Sequence, residues 1–138
     1  MCDKTAASFT CCESDEAKIL AGLDREEASD RYVVEPGIVQ LHFEELNYAG
    51  YSEMERMQQQ GLVFYGSHDY GGTYSAGVYC CDGRTLVLCD SDSDRSGPVG
   101  CIGPDGSIAK GDARKARRYW EVLARTKAKL QRAKQPSN

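Results

Sequence analysis

The stretch Gly66-Ser67-His68-Asp69-Tyr70-Gly71-Gly72-Thr73-Tyr74 is where this sequence comes nearest to an active site. An imidazole beside a carboxylate has the makings of a general acid or base, and a thiol brought up to it would complete a nucleophilic pair. Cys80 and Cys81 follow closely, so a chain that doubles back would supply that thiol. The stretch reads equally as a binding loop. Tyr70 and Tyr74 sit among glycines, and tyrosine offers a large contact area with few torsions to freeze. Its glycine spacing matches neither phosphate-binding fingerprint.

Asp90, Asp92 and Asp94 alternate with serines. Three alternate carboxylates open a calcium loop, because they can converge on one hard cation. The pattern then fails: Arg95 stands where that loop needs Gly, and Cys101 where it needs Glu. The segment is therefore read as an exposed acidic surface for a basic partner. Seven cysteines contain no C-x2-C pair, so no zinc site is expected, and no other metal or cofactor is implied. The first residues lack the apolar core of a secretory signal, and nothing approaches the ~20 apolar residues of a membrane span. The expectation is a cytoplasmic protein with no membrane contact, its thiols reduced and buried as small hydrophobes.

Charge is divided unevenly. Residues 1–109 carry 19 acids against 7 bases, whereas residues 110–138 carry 2 acids against 10 bases. An acidic body with a basic C-terminal arm concerns partners more than fold. Arg114, Arg118 and Arg125 lie on one stripe of that arm and make a candidate contact for nucleic acid or an acidic protein. The sequence pI of about 5.2 argues against a dedicated nucleic-acid domain.

The elements that must position these groups follow from periodicity. Residues 1–12 read as a flexible start, and 135–138 as a flexible tail, around one α+β domain over 13–134. A short helix is expected from Asp15 to Leu23, with Ser14 as its cap. Tyr32-Val33-Val34 and Ile38–Phe43 read as strands bent at Pro36-Gly37; Val39, Leu41 and Phe43 share the buried side. Ser52-Glu53-Met54-Glu55 matches a capping box. It opens a helix that buries Met54 and Met57 and stops at Gly61. Leu62–Tyr65 reads as a short strand. Val78–Cys81 and Arg84–Leu88 flank Asp82-Gly83 as a tight hairpin, and a last hairpin is expected around residues 103–106. A long helix from about Ala113 to Lys134 carries Ala116, Tyr119, Trp120, Leu123 and Leu130 on one side. Its first half is expected to dock on a mostly antiparallel sheet, and its second half to project.

Function is read as a small soluble interaction protein without catalysis. It would bind, or inhibit, a macromolecular partner, most simply a protein, through its acidic body and Tyr-rich loops. The candidate binding residues are Asp90, Asp92, Asp94, His68, Tyr70, Tyr74, Arg114, Arg118 and Arg125. Small inhibitors carried by phages or mobile elements share this composition, though no motif. Two alternatives stand beside it: a small enzyme centred on His68 and Asp69 with a nearby Cys, and nucleic-acid binding by the C-terminal helix. A homodimer through Trp120 and Leu123 is also open.

Overall fold

Alternation of inward and outward side chains governs six segments, and each is a strand. The computed structural model describes residues 4–47, 50–70, 75–92, 94–95, 97–100, 104–107 and 110–134. In chain order they form β1 (Lys4–Cys12), α1 (Glu16–Gly22), β2 (Asp30–Glu35), β3 (Ile38–Asn47), α2 (Tyr51–Gln59), β4 (Val63–His68), β5 (Gly77–Asp82), β6 (Leu86–Asp90) and α3 (Lys110–Lys134). The strands make one antiparallel sheet in the order β2-β3-β1-β4-β5-β6. The α+β class read from the sequence is the class observed.

The start of the chain corrects the sequence reading. Residues 4–12 are not flexible but form a central strand, between β3 and β4. Ala7, Phe9 and Cys11 point into the core and are buried. The alternation is muted because most of these side chains are small. Small residues suit this place, since β4 approaches closely: any side chain at Gly66 would collide with the Ser8 backbone oxygen.

One face of the sheet is covered by α1 and α2. Phe9, Leu41, Phe43, Phe64 and Tyr79 pack there with Ile19, Leu23, Met54 and Met57. Met54 and Met57 are buried as expected. The predicted capping box does not form: α2 starts after Gly50, and Ser52 lies inside the helix with its hydroxyl on Glu53. Ser14 sits in a single 3-10 turn before α1, whose N-terminus has no side-chain cap bond.

The other face is crossed by α3. Its buried seam is Tyr119, Val122, Leu123, Thr126 and Leu130. Trp120 is 51% exposed and lies beside this seam, not in it. The second half of the helix docks as well, because Leu130 packs on Cys12 and Ile38. Lys134 then reaches Glu35 at 3.0 Å. Among the described residues no helix is long and apolar enough to cross a membrane.

The β5–β6 hairpin keeps its predicted faces but slips by two residues. Cys81 pairs with Leu86 and Cys80 with Val87, so Gly83 to Thr85 form a three-residue connection. Asp82 accounts for the slip: its Oδ1 accepts the N–H groups of Arg84 (3.0 Å) and Thr85 (2.8 Å) and closes the wider turn. Pro98 bridges to Ser91, not to a later strand. Residues 101–103, 108 and 109 of the expected last hairpin and the 135–138 tail lie outside the described residues.

Candidate functional site

His68 ends β4, and is buried, not displayed on a loop. Its Nδ1 lies 2.7 Å from the Asp69 carbonyl oxygen and its Nε2 lies 2.7 Å from the Tyr51 hydroxyl. A carbonyl only accepts, so Nδ1 carries the hydrogen and Nε2 accepts from Tyr51. The ring stacks on Tyr79 and fits against Gly77, where any side chain would collide with it. Burial lowers its pKa below the usual imidazole value, against the Asp69 carbonyl, which favours the charged form. With both nitrogens engaged, His68 ties α2 to β4 and is not presented to a substrate or partner. The sequence reading counted His68 among the partner-binding residues; in the structure it is buried.

The described thiols are equally enclosed. Cys11, Cys12, Cys80, Cys81 and Cys89 are free and buried. Burial, with nearby carboxylates, pushes Cys11 up to about 12. Burial, with neighbouring thiols and Asp82, does the same to Cys80. Three thiols lie under α3 and point at its backbone: Cys12 at Leu130 O (3.6 Å), Cys80 at Tyr119 O (3.7 Å) and Cys89 at Lys115 O (4.0 Å). These are packing groups, since a nucleophilic cysteine needs a lowered pKa and access. No group of three His, Cys, Asp or Glu side chains suited to a metal occurs among the described residues.

The remaining predicted residues scatter. Asp90 ends β6 and Asp92 and Asp94 follow it, all three exposed, and Tyr70 is 71% exposed beyond β4. Tyr74 lies outside the described residues. Arg114 and Arg118 are exposed on α3. Arg125 is committed internally: its Nε donates to Asp82 Oδ2 at 3.0 Å, beside Lys129, which donates to the Asp82 backbone oxygen at 2.6 Å. The predicted basic stripe is therefore pinned at its middle.

Two features that sequence reasoning did not single out form surfaces. The first is a cleft beside α3. Pairing places two rows of side chains on that face: Asp30, His42, Ser8, Ser67, Val78 and Cys89, then Tyr32, Gln40, Thr10, Tyr65, Cys80 and Val87. Each row turns from polar to apolar at β5, where α3 sits. The polar part floors two adjoining depressions of about 240 and 220 Å³, which share Ser8, Gln40, Ser67 and Arg95. Trp120 and Lys127 stand on the α3 wall. The Trp120 ring is set edge-on to Tyr119, with centroids 5.1 Å apart, and backed by Gly97, whose position leaves no room for a side chain. The Lys127 Nζ lies 5.4 Å from the Tyr65 ring centroid. Arg95, at φ 55°, lines the cleft and pairs with Asp69.

The second surface is the edge strand β2. Tyr32, Val33 and Val34 are 54%, 59% and 55% exposed. Exposed acids lie towards the start of the strand: Asp30 within it, Glu26 and Glu27 before it in sequence, and Glu44, whose backbone N–H donates to Ser29 Oγ. The only base in the strand, Arg31, is occupied by Glu13 and Glu16, both at 2.9 Å. The far edge, β6, is partly closed, because Val99 N–H donates to the Asp90 carbonyl at 3.0 Å. The sequence signal for β2 was three apolar residues in a row beside charges, which departs from one-sided alternation. No family model, curated protein or solved structure matches this chain.

Proposed function

We propose that this chain is a small non-catalytic binding protein that takes a protein partner on the β2 edge. The observation that carries the reading is the run Tyr32-Val33-Val34, exposed on an edge strand that is paired on one side only, at the rim of an acidic body. Contiguous apolar exposure marks interaction sites, and an open edge offers unpaired N–H and C=O groups to an added strand. The acids towards its start select a partner with a basic flank and steer its approach. They also disfavour a second copy, which would bring its own acids to the same place. Self-pairing meets another obstacle in the bulge between Val33 and Glu35, since a bulge twists an edge away from a straight partner. Buried, protonated thiols suit a reducing compartment, so we place the protein in the cytoplasm.

Affinity capture with nuclease-treated lysate, read by mass spectrometry, compares the wild type with Val33→Arg. Both chains are first checked for equal helix and strand content by circular dichroism. The expected result is one stoichiometric protein with the wild type and its loss with the variant. Undiminished capture by Val33→Arg, with loss on reversing Asp90, Asp92 and Asp94 to Lys, would move the interface to the loop after β6.

A further inference from the structure

We infer that the cleft beside α3 is a small-ligand site for a nucleoside monophosphate or a compound of that chemistry: a planar ring, a hydroxylated middle and a phosphate. Three independent features point the same way.

The first is charge. Among the described residues, the cleft lining contains Arg95 and Lys127 and no carboxylate, and Asp69 pairs with Arg95 from outside that lining. Three other depressions include acids: Asp24 and Glu53 beside Leu23, Asp90 and Asp112 beside Cys89, and Asp24 beside Arg56. In a chain of 21 acids, a concave surface whose described charged lining is Lys127 and the Asp69-paired Arg95 favours an anion. Arg95 has five N–H donors, of which Nη1 serves Asp69, and the remainder are free to meet phosphate oxygens. Lys127 adds a compact charge that binds phosphate as a point cation.

The second is the Trp120 ring. Tyr119 and Gly97 fix it in place while half of its surface stays exposed at the cleft. An aromatic side chain immobilised in advance is a stacking platform for a planar ring. The third is the floor. Ser8, Gln40 and Ser67 offer hydroxyl and amide groups that both donate and accept. That is the pairing a sugar hydroxyl needs.

Size and electrostatics favour a single unit over a strand. The two depressions together fall in the range of small-molecule sites, roughly 300–1,000 Å³. The balance of 19 acids to 7 bases over residues 1–109 repels a polyanion along its length, whereas one phosphate meets the two local cations. The site is separate from the β2 edge and does not depend on it.

Trp120 is the only tryptophan, so its emission reports the cleft directly. The four common ribonucleoside 5′-monophosphates, the matching nucleosides, inorganic phosphate and a single-stranded ten-nucleotide oligothymidylate are titrated by fluorescence and calorimetry at ~50 mM salt. At least one monophosphate is expected to quench saturably, with its nucleoside and phosphate each about tenfold weaker. Lys127→Glu and Trp120→Ala, the latter read by calorimetry, are each expected to weaken binding about tenfold. Arg118→Glu, on the opposite flank of α3, and Val33→Arg leave it unchanged. Three results would overturn the inference: no saturable monophosphate binding, binding indifferent to Lys127→Glu, or binding of the oligonucleotide alone.

Discussion

On the α1–α2 side of the sheet, Phe9 meets Phe43, Phe64 and Tyr79 with ring centroids 5.3–5.9 Å apart; on the α3 side, the same strands present Ser8, Thr10, Gln40 and Ser67. The difference is one of coverage. Six strands at about 4.8 Å spacing make a sheet about 24 Å wide, and one helix is only about 10–12 Å across. α3 cannot cover all of it, and the residue types change where it stops. Val78, Cys80, Val87 and Cys89 lie under the helix, and polar groups floor the part beside it. A half-covered face therefore supplies a cleft at little cost in core, because the largest buried cluster is on the other side.

The contrast is testable within β1 itself. Phe9→Ala removes a fully buried ring and is expected to cost about 3–5 kcal/mol in urea denaturation. Ser8→Ala, one residue away on the other face, is expected to change stability by no more than about 0.5 kcal/mol. Comparable costs at both positions would make the polar half a structural layer and remove its case as a binding floor.

Acid should also separate the two faces. His68, on the α2 side, has its pKa lowered by burial from the ordinary 6.5. The unfolded chain takes up that proton first, so the His68 contribution is complete above about pH 6.5. It is lost as the pH falls through the lowered folded value, at no more than about 1.4 kcal/mol per pH unit. Asp82, on the α3 side, behaves as a carboxylate held ionised. Burial pushes its pKa up, but the Thr85 and Arg84 N–H groups, Arg125 and Lys129 together bring it below 3.8. Its contribution is present above that value and lost as pH falls through the folded one. Thermal melts from pH 8 to pH 3 should show two windows of falling stability. His68→Gln should flatten the upper window alone, and Asp82→Asn the lower. A single window abolished by either change would mean that the faces unfold as one titrating unit.

The sequence carried the sheet class, the α2 core contacts and the buried face of β3, because those rest on strong alternation and on large side chains such as Phe43 and Met57. It concealed β1, whose alternation is written mostly in Ala, Ser, Thr and Cys. The cleft was hidden with it. Gln40 and His42 alternate with the buried Val39, Leu41 and Phe43, but a floor exists only once Ser8, Thr10 and Ser67 are paired alongside. His68 misled for a related reason. A histidine beside an aspartate in a Gly-rich stretch signals chemistry, yet long-range pairing opposite Ala7 and Gly77 makes it the end of a strand. The angular analysis of α3 placed Tyr119, Leu123 and Leu130 correctly and misjudged Trp120, because nothing in a helical projection says how wide a contact the sheet offers.

α3 repeats the contrast on a smaller scale along its basic stripe. Arg125 serves the fold, through Asp82, while Arg114 and Arg118 have no acidic partner within ion-pair distance among the described residues. Because Arg125 is about half exposed, solvent screens much of its pairing. Asp82, however, is 95% shielded and would lose one of its charged partners. Arg125→Ala is therefore expected to cost about 1 kcal/mol in chemical denaturation. Arg118→Ala should stay within about 0.5 kcal/mol. Salt sharpens the distinction, since screening weakens exposed pairs most. A cost for Arg125→Ala that vanishes by ~0.5 M salt would make the contact a surface ion pair. One that persists would mark it as part of the turn that Asp82 closes, leaving only the outer arginines of α3 for a partner.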